Sequence, residues 1–307
     1  MRIFLTGASG MVGRNFLEHG AAIGYEILQP GSRELDLRDY AAVYDWMKRN
    51  KPDVVVHAAG KVGGIQANMR EPVNFLLDNL DIGRNIVIAS RNLGINKLLN
   101  LGSSCMYPRN AMNPLQEEMV LQGELEPTNE GYAIAKITVA RLCEYIMREN
   151  AGYQYKTLIP CNIYGRHDKF DPAKSHMVPA IIHKLHKAKV EGLDSVDIWG
   201  DGYARREFMY AQDLADCMWR AIEQFDSLPH TMNVGLGDDL SVNEYYKVAA
   251  KVIGYKGKFC HDLSKPAGMK QKLVSIDKAT AWGWHASTSL EAGISLTYQY
   301  YLEECKS

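Results

Sequence analysis

Near its amino terminus the chain reads Ile3-Phe4-Leu5-Thr6-Gly7-Ala8-Ser9-Gly10-Met11-Val12-Gly13. The apolar run predicts a buried strand, and the three-and-four spacing of apolar residues that follows predicts a helix. Backbone amides of a glycine-rich turn at a helix amino terminus bind a pyrophosphate, and glycine lets the phosphate approach closely. The stretch therefore predicts a dinucleotide-binding loop, with cofactor contacts at Gly7, Ser9, Gly10, Met11, Val12 and Gly13.

Short apolar runs and longer amphipathic segments keep alternating downstream, which is typical of a parallel sheet wrapped by helices. The predicted strands are Arg2 to Thr6, Glu26 to Gln29, Asp53 to Ala58, Lys97 to Leu101 and Lys156 to Pro160. The predicted helices are Met11 to Ile23, Tyr40 to Lys48, Val73 to Leu93 and Tyr132 to Asn150. The predicted fold class is therefore α/β, a doubly wound parallel sheet of the Rossmann type.

After Asn162 the strict alternation stops, and residues 165–175 are rich in charge, proline and glycine. Further helices are predicted at Val178 to Lys187 and Asp213 to Gln224, a strand at Thr231 to Val234, and short mixed elements from Ser241 onward. We predict that residues 1–163, with 212–240 returning to them, form the cofactor domain. Residues 164–211 and 241–307 are predicted to form a smaller mixed α/β substrate domain.

The composition argues against several classes of function. Lys and Arg total 35 against 36 for Asp and Glu, so no global field exists to hold nucleic acid or an anionic membrane. The six cysteines form no Cys-x-x-Cys pair, which argues against a zinc ribbon or a disulfide framework. The chain enters its first strand directly and contains no run of about 18 apolar residues. We therefore expect a cytoplasmic protein with no metal.

The end of the second predicted strand favours NADPH over NADH. An NAD site usually has an acidic residue there to bind the ribose hydroxyls. Here Ser32 and Arg33 offer donors suited to a 2′-phosphate, although the neighbouring Glu34 leaves NADH open. Further predicted cofactor contacts follow the second and third strands: Asp36, Leu37, Ala58 and Ala59.

A proton-transfer pair is predicted on the helix after the fourth strand. Tyr132 and Lys136 are four residues apart, so their side chains project from one face and can act on one substrate atom. The positive charge of Lys136 is expected to lower the pKa of the Tyr132 phenol. Ser103, at the end of the fourth strand, can donate a hydrogen bond to the same carbonyl oxygen.

Several longer motifs carry a resemblance to a known family. They are Gly102-Ser103-Ser104-Cys105-Met106-Tyr107-Pro108, Leu125-Glu126-Pro127-Thr128-Asn129-Glu130-Gly131-Tyr132-Ala133-Ile134-Ala135-Lys136, Ala59-Gly60-Lys61-Val62-Gly63-Gly64-Ile65, Asn162-Ile163-Tyr164-Gly165, Ser175-His176-Met177-Val178-Pro179 and Arg206-Glu207-Phe208. Over nearly its whole length the chain resembles the GDP-L-fucose synthases, which are extended short-chain dehydrogenase/reductases. The resemblance implies an NADPH-dependent enzyme that inverts C3 and C5 of GDP-4-keto-6-deoxy-D-mannose and then reduces C4.

The resemblance also implies roles for individual residues. Ser103, Tyr132 and Lys136 take the reductase roles, and Cys105 and His176 are the acid and base of epimerisation, in an order that stays open. Additional cofactor contacts are implied at Lys136, Pro160, Asn162 and His176. Substrate contacts are implied at Ser104, Asn162, Lys184, Trp199, Arg206 and Lys272. The sequence departs from the family at Lys184, commonly arginine, and at Ala267, frequently acidic.

Other functions remain alternatives at this stage. A GDP-L-colitose synthase inverts only C5 of a 3-deoxy substrate, and a related enzyme acts on a GDP-6-deoxyheptose or only reduces. A non-catalytic NADPH sensor would have no need of the Tyr132–Lys136 pair, and a UDP-sugar 4-epimerase would hold NAD tightly. We also expect a homodimer, joined through apolar surface at Val87 to Leu93 and Val139 to Met147.

Overall fold

The structure is a computed structural model that describes residues 1–171, 175–265 and 269–304. Its strands are β1 (Arg2–Thr6), β2 (Glu26–Leu28), β3 (Val54–His57), β4 (Lys97–Leu101), β5 (Gln154–Pro160), β6 (Asn162–Tyr164), β7 (Ser195–Trp199), β8 (Arg205–Arg206), β9 (Phe208–Tyr210), β10 (Thr231–Val234), β11 (Leu240–Ser241), β12 (Lys258–Asp262) and β13 (Gln271–Lys272). Its α-helices are α1 (Met11–Glu18), α2 (Tyr40–Asn50), α3 (Ile65–Arg70), α4 (Pro72–Asn92), α5 (Glu130–Glu149), α6 (Met177–Val190), α7 (Ala211–Glu223), α8 (Val242–Ile253), α9 (Asp277–Ala281) and α10 (Leu290–Glu304).

In the described part of the chain, the largest sheet has the order β10-β5-β4-β3-β1-β2, and all its pairings are parallel. Side chains of β1 alternate between the two faces, as the pleat of a strand requires. Ile3 and Leu5 join one apolar cluster, in which Phe16 of α1 stacks on Trp219 of α7 at 4.2 Å. Phe4 joins the cluster on the other face. Helices therefore cover both faces, and the predicted doubly wound sheet is confirmed.

Three smaller sheets, one of three strands and two of two strands, accompany the main sheet in the described part of the chain. β7 pairs with β12, β6 pairs with β9, and β8 lies between β11 and β13. Their apolar side chains pack with α6, α8 and α10 around a separate cluster that includes Ile182, Tyr245 and Ile294. The segment that carries α7 and β10 returns to the main sheet, where β10 pairs with β5. The division into two domains with the boundaries given above stays a prediction.

Two predicted elements differ from the structure. α1 ends at Glu18, and a 3₁₀ turn over Gly20–Gly24 replaces its expected continuation to Ile23. The cause is local, because His19 adopts an extended backbone and its ring accepts a hydrogen bond from Ala21 N. The expectation of short mixed elements after Ser241 is also wrong, since α8 and α10 are full helices. The sequence does contain the start and stop signals of α8. Ser241 and Glu244 form a capping box at its amino terminus, and Gly254 ends it with φ 77°.

No helix within the described residues combines the length and the apolar character needed to cross a membrane.

Candidate active site

A large cavity of about 1520 Å³ opens at the carboxyl ends of the main-sheet strands. Its lining comes from the turn after β1, the ends of β3, β4 and β5, and the amino terminus of α6. In open parallel sheets, ligands bind at this edge where the strand order reverses, which here is between β1 and β3. A pocket for one small ligand is typically ~300–1,000 Å³, so this cavity has room for a cofactor together with a substrate.

The turn after β1 fits a pyrophosphate. Gly7 has φ 75°, and a Cβ there would lie 2.8 Å from the backbone of Ala58 and Ala59. A Cβ at Gly13 would overlap the carbonyl oxygen of Gly7. These glycines hold the turn close to the end of β3 and aim the first amides of α1 into the cavity. A dinucleotide therefore fits this cradle.

Nearly all predicted contacts line this one cavity. The cofactor-site predictions found there are Gly7, Ser9, Gly10, Met11, Val12, Gly13, Asp36, Leu37, Ala58, Ala59, Lys136, Pro160, Asn162 and His176. The catalytic and substrate-site predictions found there are Ser103, Ser104, Cys105, Tyr132, Lys184, Trp199, Arg206 and Lys272. Their contact with a bound cofactor or substrate stays a prediction. The predicted departure at Ala267 lies outside the described residues.

Arg33 is the exception, because it is exposed and does not belong to the cavity lining that the structure describes. The chain makes one helical turn here, with Leu35 N donating to Gly31 O at 3.0 Å. Leu35 points into the core, and a residue two positions away in such a turn projects to the opposite side. The basic residue after β2 that does line the cavity is Arg38, which the sequence did not single out.

Arg38 is held by two carboxylates. Its guanidinium donates to both oxygens of Asp36, at 3.0 and 2.8 Å, and lies 3.7 Å from Asp78. The hydrogen bonds from Arg38 lower the pKa of Asp36 to about 2. Arg38 thus places a fixed cation at the end of the cavity where the adenine ribose is expected.

The Lys136 side chain ties α5 to the end of β4. Its Nζ donates to Leu101 O at 2.8 Å and lies 6.0 Å from the centroid of the Tyr132 ring. Burial lowers the pKa of Lys136 to about 8. The Lys136 ammonium therefore binds the last carbonyl of β4 and also lies near the Tyr132 ring.

Tyr132 holds its proton more strongly than the sequence predicted. Burial raises the pKa of the phenol, the neighbouring Cys105 raises it further, and a hydrogen bond with Ser103 lowers it. The expectation that Lys136 sets a lowered pKa is wrong for the net direction, because the loss of water around a buried phenol outweighs the other effects. Tyr132 is thus a proton donor rather than a phenolate at neutral pH.

Cys105 and His176 reach the cavity from different elements. Cys105 follows β4 in a 3₁₀ turn over Ser104–Met106, and its backbone N donates to Ser103 Oγ at 3.2 Å. Its sulfur receives Asn129 Nδ2 at 3.1 Å and Lys272 Nζ at 3.5 Å. His176 stands at the N-cap position of α6 without a side-chain cap hydrogen bond. Its surface is exposed on the cavity side, but partial desolvation of the ring, followed by the charges of Lys169 and Lys272, lowers its pKa. Asn129 stands in a quoted motif, yet only the structure gives it a partner.

Three of the predicted substrate residues, Lys184, Trp199 and Arg206, line the part of the cavity that α6, β7 and β8 form. Lys184 Nζ forms an ion pair with Asp197 Oδ2 at 2.9 Å, so its charge is already compensated. Trp199 exposes about half of its surface beside the cavity, with Lys265 Nζ 5.7 Å from its ring centroid. Burial lowers the pKa of Arg206. An anionic ligand at this end would meet Arg206 as a partly desolvated cation.

Glu207 fixes the backbone of this second side of the cavity. Its carboxylate is buried and accepts hydrogen bonds from Leu236 N at 2.6 Å, Gly237 N at 3.0 Å and Val274 N at 3.0 Å. Burial raises its pKa to about 7. The neighbouring Arg206 pairs in register with Lys272, so one buried carboxyl group positions two cavity-lining cations. Nothing in the sequence beyond the quoted Arg206-Glu207-Phe208 motif indicates this role.

Among the described residues, no cluster of His, Cys, Asp or Glu has the geometry to hold a metal ion. The sheet order, the glycine cradle and the Tyr132–Lys136 pair together define a dinucleotide-binding enzyme of the Rossmann type. The chain belongs to the NAD dependent epimerase/dehydratase family, whose sequence profile matches residues 3–235.

Within this family, the chain is similar to enzymes whose names specify GDP-linked sugars. The chain is 54% identical over 304 residues to the GDP-L-colitose synthase of Yersinia pseudotuberculosis, covering 99% of both chains. It is 51% identical over 301 residues to the GDP-L-fucose synthase of Azorhizobium caulinodans, covering 98% of this chain and 96% of the relative. A solved structure, the GDP-mannoheptose C4 reductase from Campylobacter jejuni with NADP bound, superposes with a TM-score of 0.89 at 30% identity, covering 98% of each chain. The resemblance to GDP-L-fucose synthases is confirmed.

Proposed function

We propose that this chain is an NADPH-dependent epimerase/reductase that converts GDP-4-keto-6-deoxy-D-mannose to GDP-L-fucose. The observation that carries the proposal is one cavity lined by Cys105, His176, Ser103, Tyr132 and Lys136 together. The high identity to a GDP-L-fucose synthase and the NADP-bound structural relative support it. We place the enzyme in the cytoplasm, as the sequence predicts.

A GDP-L-colitose synthase activity is the second candidate, because a relative of that name is 54% identical over nearly the whole chain. Its substrate lacks the C3 hydroxyl, and only C5 is inverted. A GDP-deoxyheptose substrate is a third candidate, which the C. jejuni heptose enzyme supports.

The reductive half uses the Ser103, Tyr132 and Lys136 side chains. NADPH held in the glycine cradle supplies the hydride for C4. Tyr132 delivers its proton to the C4 oxygen, and its raised pKa suits it to that role because the phenol is protonated beforehand. Ser103 donates a hydrogen bond to the same oxygen, and the Lys136 ammonium stabilises the phenolate left behind.

The epimerising half uses acidity that the C4 ketone creates. A base removes the hydrogen from the neighbouring carbon, and the electron pair moves to the carbonyl oxygen as an enolate. Ser103 and Tyr132 stabilise this enolate by hydrogen bonds. Inversion requires a proton to return on the opposite face, and Cys105 and His176 are the two titratable groups proposed to flank the ring.

The test is turnover of candidate GDP-ketosugars with NADPH in deuterated water, followed by mass spectrometry of the products. Deuterium at both C3 and C5 of a GDP-6-deoxyhexose supports the fucose reaction, and inversion at C5 alone of a 3-deoxy substrate supports the colitose reaction. Tyr132→Phe is expected to stop NADPH consumption, while deuterium uptake continues at a lower rate because Ser103 still donates a hydrogen bond to the enolate oxygen. Turnover without added cofactor by protein that carries stoichiometric NAD would instead favour a UDP-sugar 4-epimerase.

The enzyme is further proposed to be a homodimer, through a surface that overlaps the predicted segments Val87 to Leu93 and Val139 to Met147. Val87 and Val139 are 0% and 2% exposed and pack in the core, so other residues of these segments, among them Ile88, Leu142 and Tyr145, supply the surface. An apolar groove of about 530 Å³ between α4 and α5 lies next to them, with Ile134 and Tyr145 41% and 51% exposed. Ile134→Arg is expected to give a monomer in sedimentation experiments, and an unchanged sedimentation coefficient would contradict this surface.

A further inference from the structure

We infer that the Asp197 carboxylate, together with the Lys184 ammonium that it holds, recognises the base of the nucleotide sugar and selects guanine. The inference rests on the proposed function and deepens it, because it assigns the base specificity of a GDP-sugar enzyme to particular side chains. Asp197 is not among the residues whose roles the resemblance implies.

One face of β7 forms part of the cavity wall. Side chains two residues apart in a strand point to the same side, and Ser195, Asp197 and Trp199 alternate with buried residues along β7. All three line the cavity, and α6 contributes Lys184 to the same lining. This part of the cavity therefore offers a hydroxyl, a carboxylate, an aromatic ring and an ammonium to one ligand.

The Lys184 ammonium is held by Asp197 at two points. Lys184 Nζ lies 2.9 Å from Asp197 Oδ2 and donates to the backbone O of Asp197 at 2.7 Å. An ammonium has three hydrogens, so these two contacts leave one for a ligand. The hydrogen bond from Lys184 lowers the pKa of Asp197, and the ionised carboxylate has lone pairs left to accept further hydrogen bonds. The pair therefore presents a donor beside an acceptor, with its charges compensated.

Such a pair fits a neutral base better than a phosphate, because a carboxylate repels an anion. The diphosphate is expected beside Arg206 and Lys272, which pair in register on β8 and β13. Guanine carries the carbonyl oxygen O6 next to two donors, N1–H and the 2-amino group. The remaining hydrogen of Lys184 can bind O6, and the Asp197 carboxylate can accept from the two donors. Uracil and hypoxanthine have no amino group at this edge, so they satisfy the carboxylate less well.

Trp199 provides a surface on which the base can stack. It follows Asp197 by two positions on the same face of β7, and 48% of its surface is exposed. Stacking on an aromatic ring tolerates any base, because every base has a π-face. Trp199 thus adds affinity, whereas Asp197 supplies the choice among bases.

Binding of free nucleoside diphosphates by the full chain, with NADP present, tests the inference. Isothermal titration calorimetry gives the dissociation constants of GDP, IDP and UDP. IDP differs from GDP only by the missing 2-amino group, and we expect the wild type to bind it about tenfold more weakly, as for the loss of one hydrogen bond to a charged acceptor. Asp197→Ala is expected to bind GDP and IDP with equal affinity. Asp197→Asn keeps one acceptor oxygen and should fall between the two.

The ratio of the GDP and IDP affinities is the decisive quantity. In Asp197→Ala the charge of Lys184 is no longer compensated, so every nucleoside diphosphate is expected to bind more tightly. Glu191→Gln is the matched control, because Glu191 lines the same cavity and its carboxylate lies 3.8 Å from Lys187 Nζ. This variant should retain the wild-type ratio.

An unchanged ratio in Asp197→Ala would overturn the inference and leave Asp197 as a charge partner of Lys184 only. Equal binding of GDP and IDP by the wild type, or a ratio lost in Glu191→Gln instead, would overturn it as well. Because free nucleotides are not turned over, this outcome is separate from that of the proposed function. A preference for GDP that depends on Asp197, with no turnover of any GDP-ketosugar, would sink the proposed function and keep the inference.

Discussion

The two sides of the cavity are built differently. On the amino-terminal side, Ser103 follows a strand of the main sheet that ends at Leu101, and Lys136 lies on a 20-residue helix that it ties to Leu101 O. On the carboxy-terminal side, Arg206 and Lys272 lie in strands of two residues each. These short strands are aligned by Glu207, a single buried carboxyl group. Long regular elements hold the first group of side chains, whereas the second group is held by short strands and by side-chain contacts to their backbone, such as those of Glu207 and Asn113.

The largest effect is expected on the amino-terminal side, from Lys136→Met. Without the ammonium, the phenolate of Tyr132 is unstabilised after it gives up its proton, and we expect kcat/KM for NADPH oxidation to fall on the order of 10²-fold or more. Because burial lowers the pKa of Lys136 to about 8, the ammonium is lost above that pH. The wild-type rate should therefore fall as the pH rises through about 8, and initial rates on either side of it measure this.

Lys156→Met is the control for that experiment. Lys156 is also buried and burial also lowers its pKa, but its ammonium donates to Leu228 O, away from the cavity. Its replacement should lower stability and leave the alkaline limb of the rate profile in place. A limb that persists in Lys136→Met would count against the role given to Lys136.

The next effect is expected on the carboxy-terminal side, from Glu207→Ala. Three buried backbone N–H groups lose their acceptor, and we expect the free energy of unfolding to fall by about 3 kcal/mol or more. Glu207→Gln keeps one acceptor oxygen and should lose less. Thermal unfolding measures both. Equal stability of the alanine variant and the wild type would show that this side does not depend on Glu207.

The smallest effect distinguishes Arg38 from Arg33. Arg38→Met removes the cation between Asp36 and Asp78, and we expect the KM for NADPH to rise roughly fivefold, as for the loss of one exposed charge contact. The KM for NADH should change less, because NADH has no 2′-phosphate. Arg33→Met should leave both values unchanged. A larger effect from Arg33 would restore the original sequence prediction.

The sequence by itself determined the elements of the main sheet and the residues that follow its strands. A strand, a glycine turn and a helix in this order leave few alternatives, because only glycine tolerates φ 75° next to another backbone. The spacing of Tyr132 and Lys136 likewise sets their shared face through helix geometry alone.

Tertiary structure alone decided the contacts between distant segments. The approach of Lys272 to Cys105, 167 residues apart, depends on the pairing of β13 with β8, and strands of two residues leave no periodic pattern to read. Arg38 rather than Arg33 lines the cavity because Leu35 of the same short turn points into the core, which directs Arg33 to the opposite side. The raised pKa of Tyr132 follows from burial, which depends on everything packed around the phenol. The spacing of residues within one helix or turn sets how their side chains are arranged there. The removal of a side chain from water and its contacts with distant segments depend on how the whole chain folds.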